Sequence, residues 1–310
     1  TAENPNVGCV IVRDGKVLGI GWTQPGGRPH AETVALDTAG EGARGATAYV
    51  TLEPCAHHGR TPPCAEALTR AGLARVVTAI EDPDPRVSGA GHRILREAGI
   101  EAVTGIDAND ARRDLAGFLM RIVRRRPQVI LKLAVSADGK ISAGVGNRTA
   151  ITGEAVRARV HLLRAQCNAI LVGMGTVLVD DPELTCRLPG LENRSPRPFV
   201  LSRGRDLPPG SKLAQAGATV LRGSVTDAVG ELGRQGINRL LVEGGAMTAR
   251  SFLDAGVVDE VQIFRSPDCV GAGGVNALAG LDLDSALQPF ALREEERLGP
   301  DRLTVYEARN

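Results

Sequence analysis

The chain has 310 residues, with 37 Lys+Arg against 36 Asp+Glu and a formal net charge of +1, a length that suits two domains with a core in each. Balanced charge and only 3% aromatic residues argue against a general nucleic-acid binder, which needs a basic surface and rings for base stacking. No apolar run approaches the ~18 residues of a membrane span, no signal-peptide pattern is visible, and the six cysteines lack a disulfide-scaffold spacing, so a reducing compartment, the cytoplasm, is expected.

Residues 7–12 (VGCVIV) read as a buried strand, Asp14-Gly15 as a hairpin turn, and 16–22 as the returning strand. The loop 24–29 (QPGGRP) delivers His30, and His30-Ala31-Glu32 opens a helix continued by Val34, Ala35 and Leu36. A strand over 48–52 then runs into Thr51-Leu-Glu-Pro-Cys-Ala-His-His-Gly-Arg-Thr-Pro-Pro-Cys64, where Pro54-Cys55 is expected to open a second helix. These two stretches carry the chemistry. A catalytic zinc site takes three protein ligands and keeps a fourth position for water. Zinc deaminases use His/Cys/Cys ligands beside a non-ligand Glu that shuttles protons. His30, Cys55 and Cys64 fit the ligands, and Glu32 fits the shuttle.

Zinc there would lower the pKa of its water towards ~7. Glu32 would take that proton and pass it to a ring nitrogen. A helix starting near Cys55 would favour the thiolate, and its backbone N–H groups would help polarise the ring. Singly, each residue has a plainer explanation: buried, inert cysteines and a surface histidine. Their order along the chain is what points to a metal centre. The general pattern is Pro-Cys-x-x-Cys; here eight residues separate Cys55 from Cys64.

Further on, 64–71 and 91–98 read as helices, 75–80 and 100–103 as strands, and Asp82-Pro-Asp-Pro85 as a turn. A hairpin followed by β/α alternation implies a sheet between helices. One long helix is expected over 109–126, with Leu115, Phe118, Leu119 and Ile122 on one face. Its Arg124-Arg-Arg126 end before Pro127 suits a helix C-terminus better than a nucleic-acid patch. The domain boundary is placed there, giving 1–126 and 127–310.

The second half restarts with a strand over 128–135 and a turn over 136–140. A helix over 154–166, strands over 169–172, 198–202 and 218–221, and a helix over 226–236 follow. A strand over 239–245 leads into a helix containing Ser251, Phe252 and Leu253, and strands over 258–264 and 303–306 close the chain. Gly173-Met-Gly-Thr-Val and Glu243-Gly-Gly-Ala-Met-Thr lie where backbone N–H groups approach a phosphate. Neither is a Rossmann fingerprint. Gly271-Ala-Gly-Gly274 is a third such loop, and each of the three, taken alone, reads more readily as a tight turn.

The chain resembles the bifunctional riboflavin-biosynthesis deaminase/reductase family over essentially its whole length. Asn4-Pro-Asn-Val-Gly-Cys-Val-Ile-Val12, His30-Ala-Glu32 and the stretch from Thr51 to Cys64, with its long insert, are similar to the deaminase motifs. Lys132-Leu-Ala-Val-Ser-Ala-Asp-Gly139, Leu163-Arg-Ala165, Gly175-Thr-Val-Leu-Val-Asp-Asp-Pro182 and Val242-Glu-Gly-Gly245 are similar to the reductase motifs. The resemblance implies an α/β chain: a cytidine-deaminase-like α/β/α N-terminal domain and a dihydrofolate-reductase-like C-terminal domain. It implies zinc-dependent hydrolytic deamination of 2,5-diamino-6-ribosylamino-4(3H)-pyrimidinone 5′-phosphate, then NADPH-dependent reduction of the ribosyl group to ribityl.

By the same resemblance Asn4, His57, Arg60, Asp82 and Asp84 would meet the substrate of the first reaction, with His57 preferred to His58. In the reductase, NADPH would contact Ala134, Ala150, Thr176, Asp180, Ser202 and the loop of Gly245, Ala246, Met247, Thr248, Ala249, Arg250 and Ser251. Arg148, Arg164, Leu184, Arg187 and Glu243 would meet the substrate; guanidinium forks suit a phosphate. Lys132 would polarise the ribose and Glu243 hold its hydroxyls, unless the two only form a strand-end ion pair. Ala150 stands where some relatives carry Trp. The implied partner is a small phosphorylated pyrimidine, without nucleic acid or membrane, in a homo-oligomer. Two other readings share the zinc residues. A nucleic-acid or nucleoside deaminase with an unrelated C-terminal domain predicts a basic, aromatic channel. A structural zinc module predicts a fourth ligand, from His57 or His58, and leaves Glu32 without a role.

Overall fold

The computed structural model describes residues 4–59, 62–85, 87–146 and 149–309. The chain divides into two compact units, Thr1–Arg125 and Arg126–Asn310. No described helix is long and apolar enough to cross a membrane.

In the first unit β1 (Gly8–Arg13) and β2 (Lys16–Trp22) form the hairpin, followed by α1 (Ala31–Ala39), β3 (Thr47–Leu52) and α2 (Cys64–Arg70). Then come β4 (Arg75–Ile80), α3 (Ala90–Glu97), β5 (Glu101–Thr104), α4 (Ala108–Asp114) and α5 (Ala116–Arg124). The sheet order is β2-β1-β3-β4-β5, antiparallel across β2-β1-β3 and parallel from β3 to β5. Alternation along the strands sends Cys9, Ile11, Ala48 and Val50 into one cluster with Ala31, Ala35, Leu68 and Leu95. Leu52 and Ile80 join Ala111, Leu115 and Phe118 in another. Gly19 and Gly21 of β2 are dictated by α1: a Cβ on either would collide with the carbonyl oxygen of Ala35 or Ala31. That close approach fixes the helix start that carries His30 and Glu32.

Two expectations fail here. Pro54-Cys55 opens no helix; the described residues between β3 and α2 form neither helix nor strand, and α2 begins at Cys64. Pro62 and Pro63 explain the delay, because each disfavours helical dihedrals in the residue before it. The helix expected over 109–126 is two helices, broken at Leu115, whose side chain is buried in the cluster with Leu52 and Ile80 of the sheet. Arg125 ends α5 with a positive φ of 56°. Arg126 belongs to the second unit, where its guanidinium grips both oxygens of Asp259 at 2.6 and 2.8 Å. It is an ion-pair residue, not the end of a helix.

The second unit contains β6 (Gln128–Val135), β7 (Lys140–Ser142), α6 (Glu154–Ala165), β8 (Ala169–Gly173), α7 (Met174–Asp180) and β9 (Arg197–Leu201). It continues with α8 (Lys212–Gln215), β10 (Thr219–Leu221), α9 (Val225–Arg234), β11 (Arg239–Glu243) and α10 (Ala246–Asp254). The last elements are β12 (Glu260–Arg265), β13 (Val275–Asn276), α11 (Leu283–Leu287), β14 (Phe290–Leu298) and β15 (Asp301–Ala308). Eight strands form one sheet in the order β10-β9-β8-β11-β6-β12-β15-β14, parallel as far as β12 and antiparallel beyond. Helices cover both faces, so the central strands are nearly continuous apolar runs, with Lys132 of β6 and Glu243 of β11 as exceptions. Val129, Leu131, Ala169 and Leu171 pack with α9 and α10; Ile130, Ile170 and Val172 pack with Leu163, Val177 and Leu213. β14 escaped the sequence reading. Its Arg293-Glu-Glu-Glu-Arg297 core looks solvated, and it is tolerated because β14 is the sheet edge.

Candidate active sites

His30 caps the start of α1, and Glu32 sits in that helix's first turn. Cys55 follows β3, and Cys64 is the first residue of α2. The fold brings His30 Nδ1 to 3.3 Å from Cys64 Sγ and 3.6 Å from Cys55 Sγ. One ligand atom from each of the three residues lies within 4.8 Å of the others. The helix start that favours the Cys55 thiolate is that of α2. Cys55 does not begin a helix, but the start of α2 is aimed at it: the Cys64 N–H donates to Cys55 Sγ at 3.2 Å and the Ala65 N–H to the Cys55 carbonyl at 3.2 Å. The Cys64 side chain pulls the Cys55 thiol down to about 4 against its burial, with His30 assisting. Cys64 is pushed up in return. One imidazole and two sulfurs, one already held towards thiolate, match the donor set of a three-ligand zinc site.

A cavity of about 120 Å³ adjoins this cluster. Glu32 lines it while only 4% exposed. Burial pushes its carboxyl up to about 7, where a group exchanges protons readily near neutral pH. Asn4, His57, Asp82 and Asp84 also line the cavity. Asn4 Nδ2 donates to the Gly27 carbonyl at 2.8 Å. His57 and His58 part company: His57 is at the cavity, while His58 Nε2 faces the Glu66 carboxylate at 3.6 Å. Arg60 lies outside the described residues.

Among the cavity residues missed, three stand out. Phe118 and Arg28 line it, the first read only as a helix-face residue and the second as part of a loop. Glu53 is the third, and its carboxylate is fully buried. One oxygen accepts the N–H groups of Asp82 and Gly89 at 3.2 and 3.0 Å, the other those of Gly91 and His92 at 2.9 and 3.2 Å. This carboxylate joins the end of β3, and hence Cys55, to the turn carrying Asp82 and Asp84. A charged residue closing an apolar strand just before Pro54 was the available signal.

In the second unit Ala134, Ser202, Glu243 and Gly245 lie at or just beyond the carboxyl ends of parallel strands, the usual ligand edge of such sheets. β11 pairs with β6 so that Glu243 faces Lys132. Arg164 of α6 grips Glu243 through Nε and Nη2 at 2.7 and 2.9 Å, and its Nη1 donates to the Thr185 carbonyl at 3.1 Å. Burial raises the Glu243 carboxyl, but Arg164 and Lys132 outweigh it and hold the group below its ordinary range. Burial pulls the Lys132 amine below its ordinary range, opposed by Glu243. Where a Lys132–Glu243 ion pair was the plainer alternative, the ion pair observed is Arg164–Glu243, with Lys132 adding its charge.

Gly173 ends β8 directly beneath Thr248 of α10; a Cβ there would collide with Thr248 Oγ1. Thr176 Oγ1 accepts the Gly245 N–H at 3.1 Å, tying the two glycine-rich turns together. Ser202, at the end of β9, donates to the Arg205 carbonyl at 2.7 Å. Ser251 donates to the Met247 carbonyl at 2.8 Å, and Arg250 pairs with Asp254 at 2.7 Å, so both face their own helix. Asp180 is the last residue of α7. Ala246 and Ala249 are buried and Met247 exposed on α10; Ala134 is half-buried on β6 and Ala150 exposed. Leu184 is buried with a positive φ of 57°. Arg187 is exposed and pairs with Glu183 at 3.0 Å, while its N–H meets His161 Nδ1 at 3.2 Å. Arg148 lies outside the described residues.

The fold and metal-ligand cluster of the first unit define a zinc-dependent deaminase of the cytidine-deaminase type. Residues 1–80 match the family described as the cytidine and deoxycytidylate deaminase zinc-binding region, and residues 127–303 match the RibD C-terminal domain. The riboflavin biosynthesis protein RibD of Escherichia coli is 40% identical over 97% of this chain and 92% of its own; that of Aquifex aeolicus is 38% identical over 99% and 93%. Among solved structures, Acinetobacter baumannii RibD superposes with a TM-score of 0.90 at 37% identity, covering 99% of this chain and 93% of that one. A Thermotoga maritima diaminohydroxyphosphoribosylaminopyrimidine deaminase/5-amino-6-(5-phosphoribosylamino)uracil reductase does so at 0.88 and 33%, covering 99% and 94%. The chain belongs to the RibD family and is a bifunctional deaminase and reductase of riboflavin biosynthesis, with zinc and NADPH as cofactors. The match over 127–303 removes the alternative of an unrelated second domain.

Proposed function

We propose that residues 1–126 deaminate 2,5-diamino-6-ribosylamino-4(3H)-pyrimidinone 5′-phosphate and that residues 127–310 reduce the ribosyl group of the product to ribityl. The observation that carries the first step is a buried carboxyl, Glu32, on the wall of a cavity shared with His30 and Cys55. His30, Cys55 and Cys64 would hold zinc, which supplies an acidified water when bound. Glu32 would take one proton of that water to the ring nitrogen beside the amino-bearing carbon, then take the remaining hydroxyl proton of the added oxygen and give it to the departing amine. Water oxygen replaces the amino group and ammonia leaves. Phe118, Val87 and Leu52 offer the ring an apolar wall, and Asn4, His57, Asp82 and Asp84, with Arg60, are assigned to substrate binding.

In the second unit NADPH supplies the hydride. Lys132, with its lowered pKa, polarises the ribose carbon–heteroatom bond and returns a proton to it. Glu243 holds ribose hydroxyls while Arg164 fixes its orientation. Arg148, Leu184 and Arg187 are assigned to the substrate. Ala134, Ala150, Thr176, Asp180, Ser202 and 245–251 are assigned to the cofactor. The substrate is a small phosphorylated pyrimidine, and no nucleic acid takes part, in keeping with the near-neutral charge. A homo-oligomer in the cytoplasm is the setting, which six unpaired cysteines favour. The test gives the purified chain this compound with zinc and NADPH and follows both products. One ammonia released and one NADPH consumed per substrate, ammonia first, supports the assignment; ammonia without NADPH loss, even on the deaminated compound, removes the second reaction.

A further inference from the structure

The segment 184–187, in neither helix nor strand, contains two residues assigned above to the reductase substrate, Leu184 and Arg187. Leu184 is buried with a φ of 57°, a region that bulky side chains avoid. Backbone held there keeps its shape only when its surroundings over-determine it. The groups that hold this segment are side chains. The Thr185 carbonyl accepts Arg164 Nη1 at 3.1 Å. The Cys186 N–H donates to Ser195 Oγ at 3.0 Å. The Arg187 N–H donates to His161 Nδ1 at 3.2 Å.

His161 stands on α6 three residues before Arg164, so the two side chains share a helix face and reach the same segment. Its Nδ1 also lies 3.1 Å from the Thr185 carbonyl oxygen. One ring nitrogen cannot donate and accept at once, and the neighbours decide between the two. Thr185 already has Arg164 as a donor, whereas the Arg187 N–H has no other acceptor among the described residues. Partial burial and the Arg164 and Arg187 cations pull the imidazole below its ordinary range, opposed by the Thr185 carbonyl and Glu243. Near neutral pH the ring is therefore uncharged, with its proton on Nε2 and a lone pair on Nδ1 for the Arg187 N–H.

We infer that His161 is a positioning residue of the reductase site: its Nδ1 fixes the Arg187 backbone and so sets where the Arg187 side chain meets the substrate. Arg164 completes the frame from the same helix, holding Glu243 through Nε and Nη2 and the Thr185 carbonyl through Nη1. The Arg187 guanidinium itself is exposed and pairs only with the exposed Glu183 and with Thr185 Oγ1, so its aim depends on the backbone that carries it. The inference rests on the assignment of Arg187 to the substrate.

The experiment follows NADPH consumption on the deaminated compound by the full-length chain, as wild type, His161→Ala, His161→Asn, Arg187→Ala and the double variant of His161→Ala with Arg187→Ala. In His161→Ala, KM for the deaminated compound is expected to rise about 5- to 10-fold, with kcat and the KM for NADPH within about 2-fold of wild type. Asn can place its Oδ1 where Nδ1 stands, so His161→Asn is expected to restore KM to within about 2-fold. Arg187→Ala keeps the backbone N–H and raises KM by itself. Adding His161→Ala to it should then cost less than about a further 2-fold, because a residue that acts through another has nothing left to position. Melting and ammonia release report whether each variant is intact. Should His161→Ala fail to fold, His161→Gln, whose oxygen lies one bond too far out, replaces it with the same expectation. An unchanged KM in His161→Ala overturns the inference, as does a fall in kcat matching the rise in KM. So does an Asn variant as poor as Ala, or full multiplication of the two effects in the double variant. Arg187→Ala at wild-type KM instead overturns the assignment of Arg187 to the substrate, and a wild-type chain that consumes no NADPH overturns the reduction reading; either removes this inference with it.

Discussion

Glu32 in the first unit and Glu243 in the second are both buried carboxyls, yet burial leaves one pushed up to about 7 and the other held below the ordinary carboxylate range. The difference lies in their company. Glu243 is gripped by the Arg164 fork and faces Lys132. Glu32 shares its surroundings with His30 and with Cys55, whose negative charge raises it further. A carboxyl poised near neutrality carries protons; one locked to a guanidinium stays charged and holds geometry. The same residue type thus serves chemistry in one unit and orientation in the other.

Removing a metal ligand breaks that contrast most severely. In His30→Ala or Cys64→Ser, deamination is expected to fall to background and bound zinc to be lost, while NADPH consumption on the deaminated compound is unchanged. Metal analysis beside the two assays checks this. Glu243→Gln comes next. It leaves Arg164 buried without its charge partner, a loss of about 3–5 kcal/mol from the second unit, read as a lowered melting transition together with lost reduction.

The same pair sharpens the comparison through pH. Glu243 is held below its unfolded value, so its contribution is fully present above the unfolded pKa of ~4 and is lost as pH falls through the lower folded value. Melting of wild type from neutral pH into acid should show this loss, and Glu243→Gln should flatten it. Glu53→Gln follows in size. An amide in place of one oxygen leaves N–H groups of the α3 start facing a donor, costing about 1–3 kcal/mol. The first unit's melt should drop while reduction continues. His58→Ala is the smallest effect: an exposed pair with Glu66 is worth under about 1 kcal/mol, and both activities should stay at wild-type levels.

The metal cluster was legible in the sequence because each of its pieces is local. His30 and Glu32 are two residues apart, and Cys55 follows β3 while Cys64 opens the next element, α2. The central strands of the second unit were legible because burial on both faces leaves nearly continuous apolar runs. What escaped depends on long-range contacts. The Arg126–Asp259 pair spans 133 residues and the Arg164–Glu243 pair spans 79, and no local pattern announces either. The Glu53 cradle draws its donors from residues 82–92. Cys55 reads as a helix start because Pro54 precedes it, but Pro62 and Pro63 set the real start later. β14 is hidden by its charges, which only an edge position permits.

The most direct test separates the two carboxyls' roles with one substitution, Glu32→Gln, which keeps the shape and removes the proton carrier. Zinc content, ammonia release from the diaminopyrimidinone ribosyl phosphate, and NADPH consumption on the deaminated compound would be measured on the same preparation. The predicted result is full zinc, ammonia release reduced about 10²- to 10⁴-fold, and reduction at the wild-type rate. Ammonia release near the wild-type rate with zinc bound would contradict the assignment of Glu32 as the proton carrier.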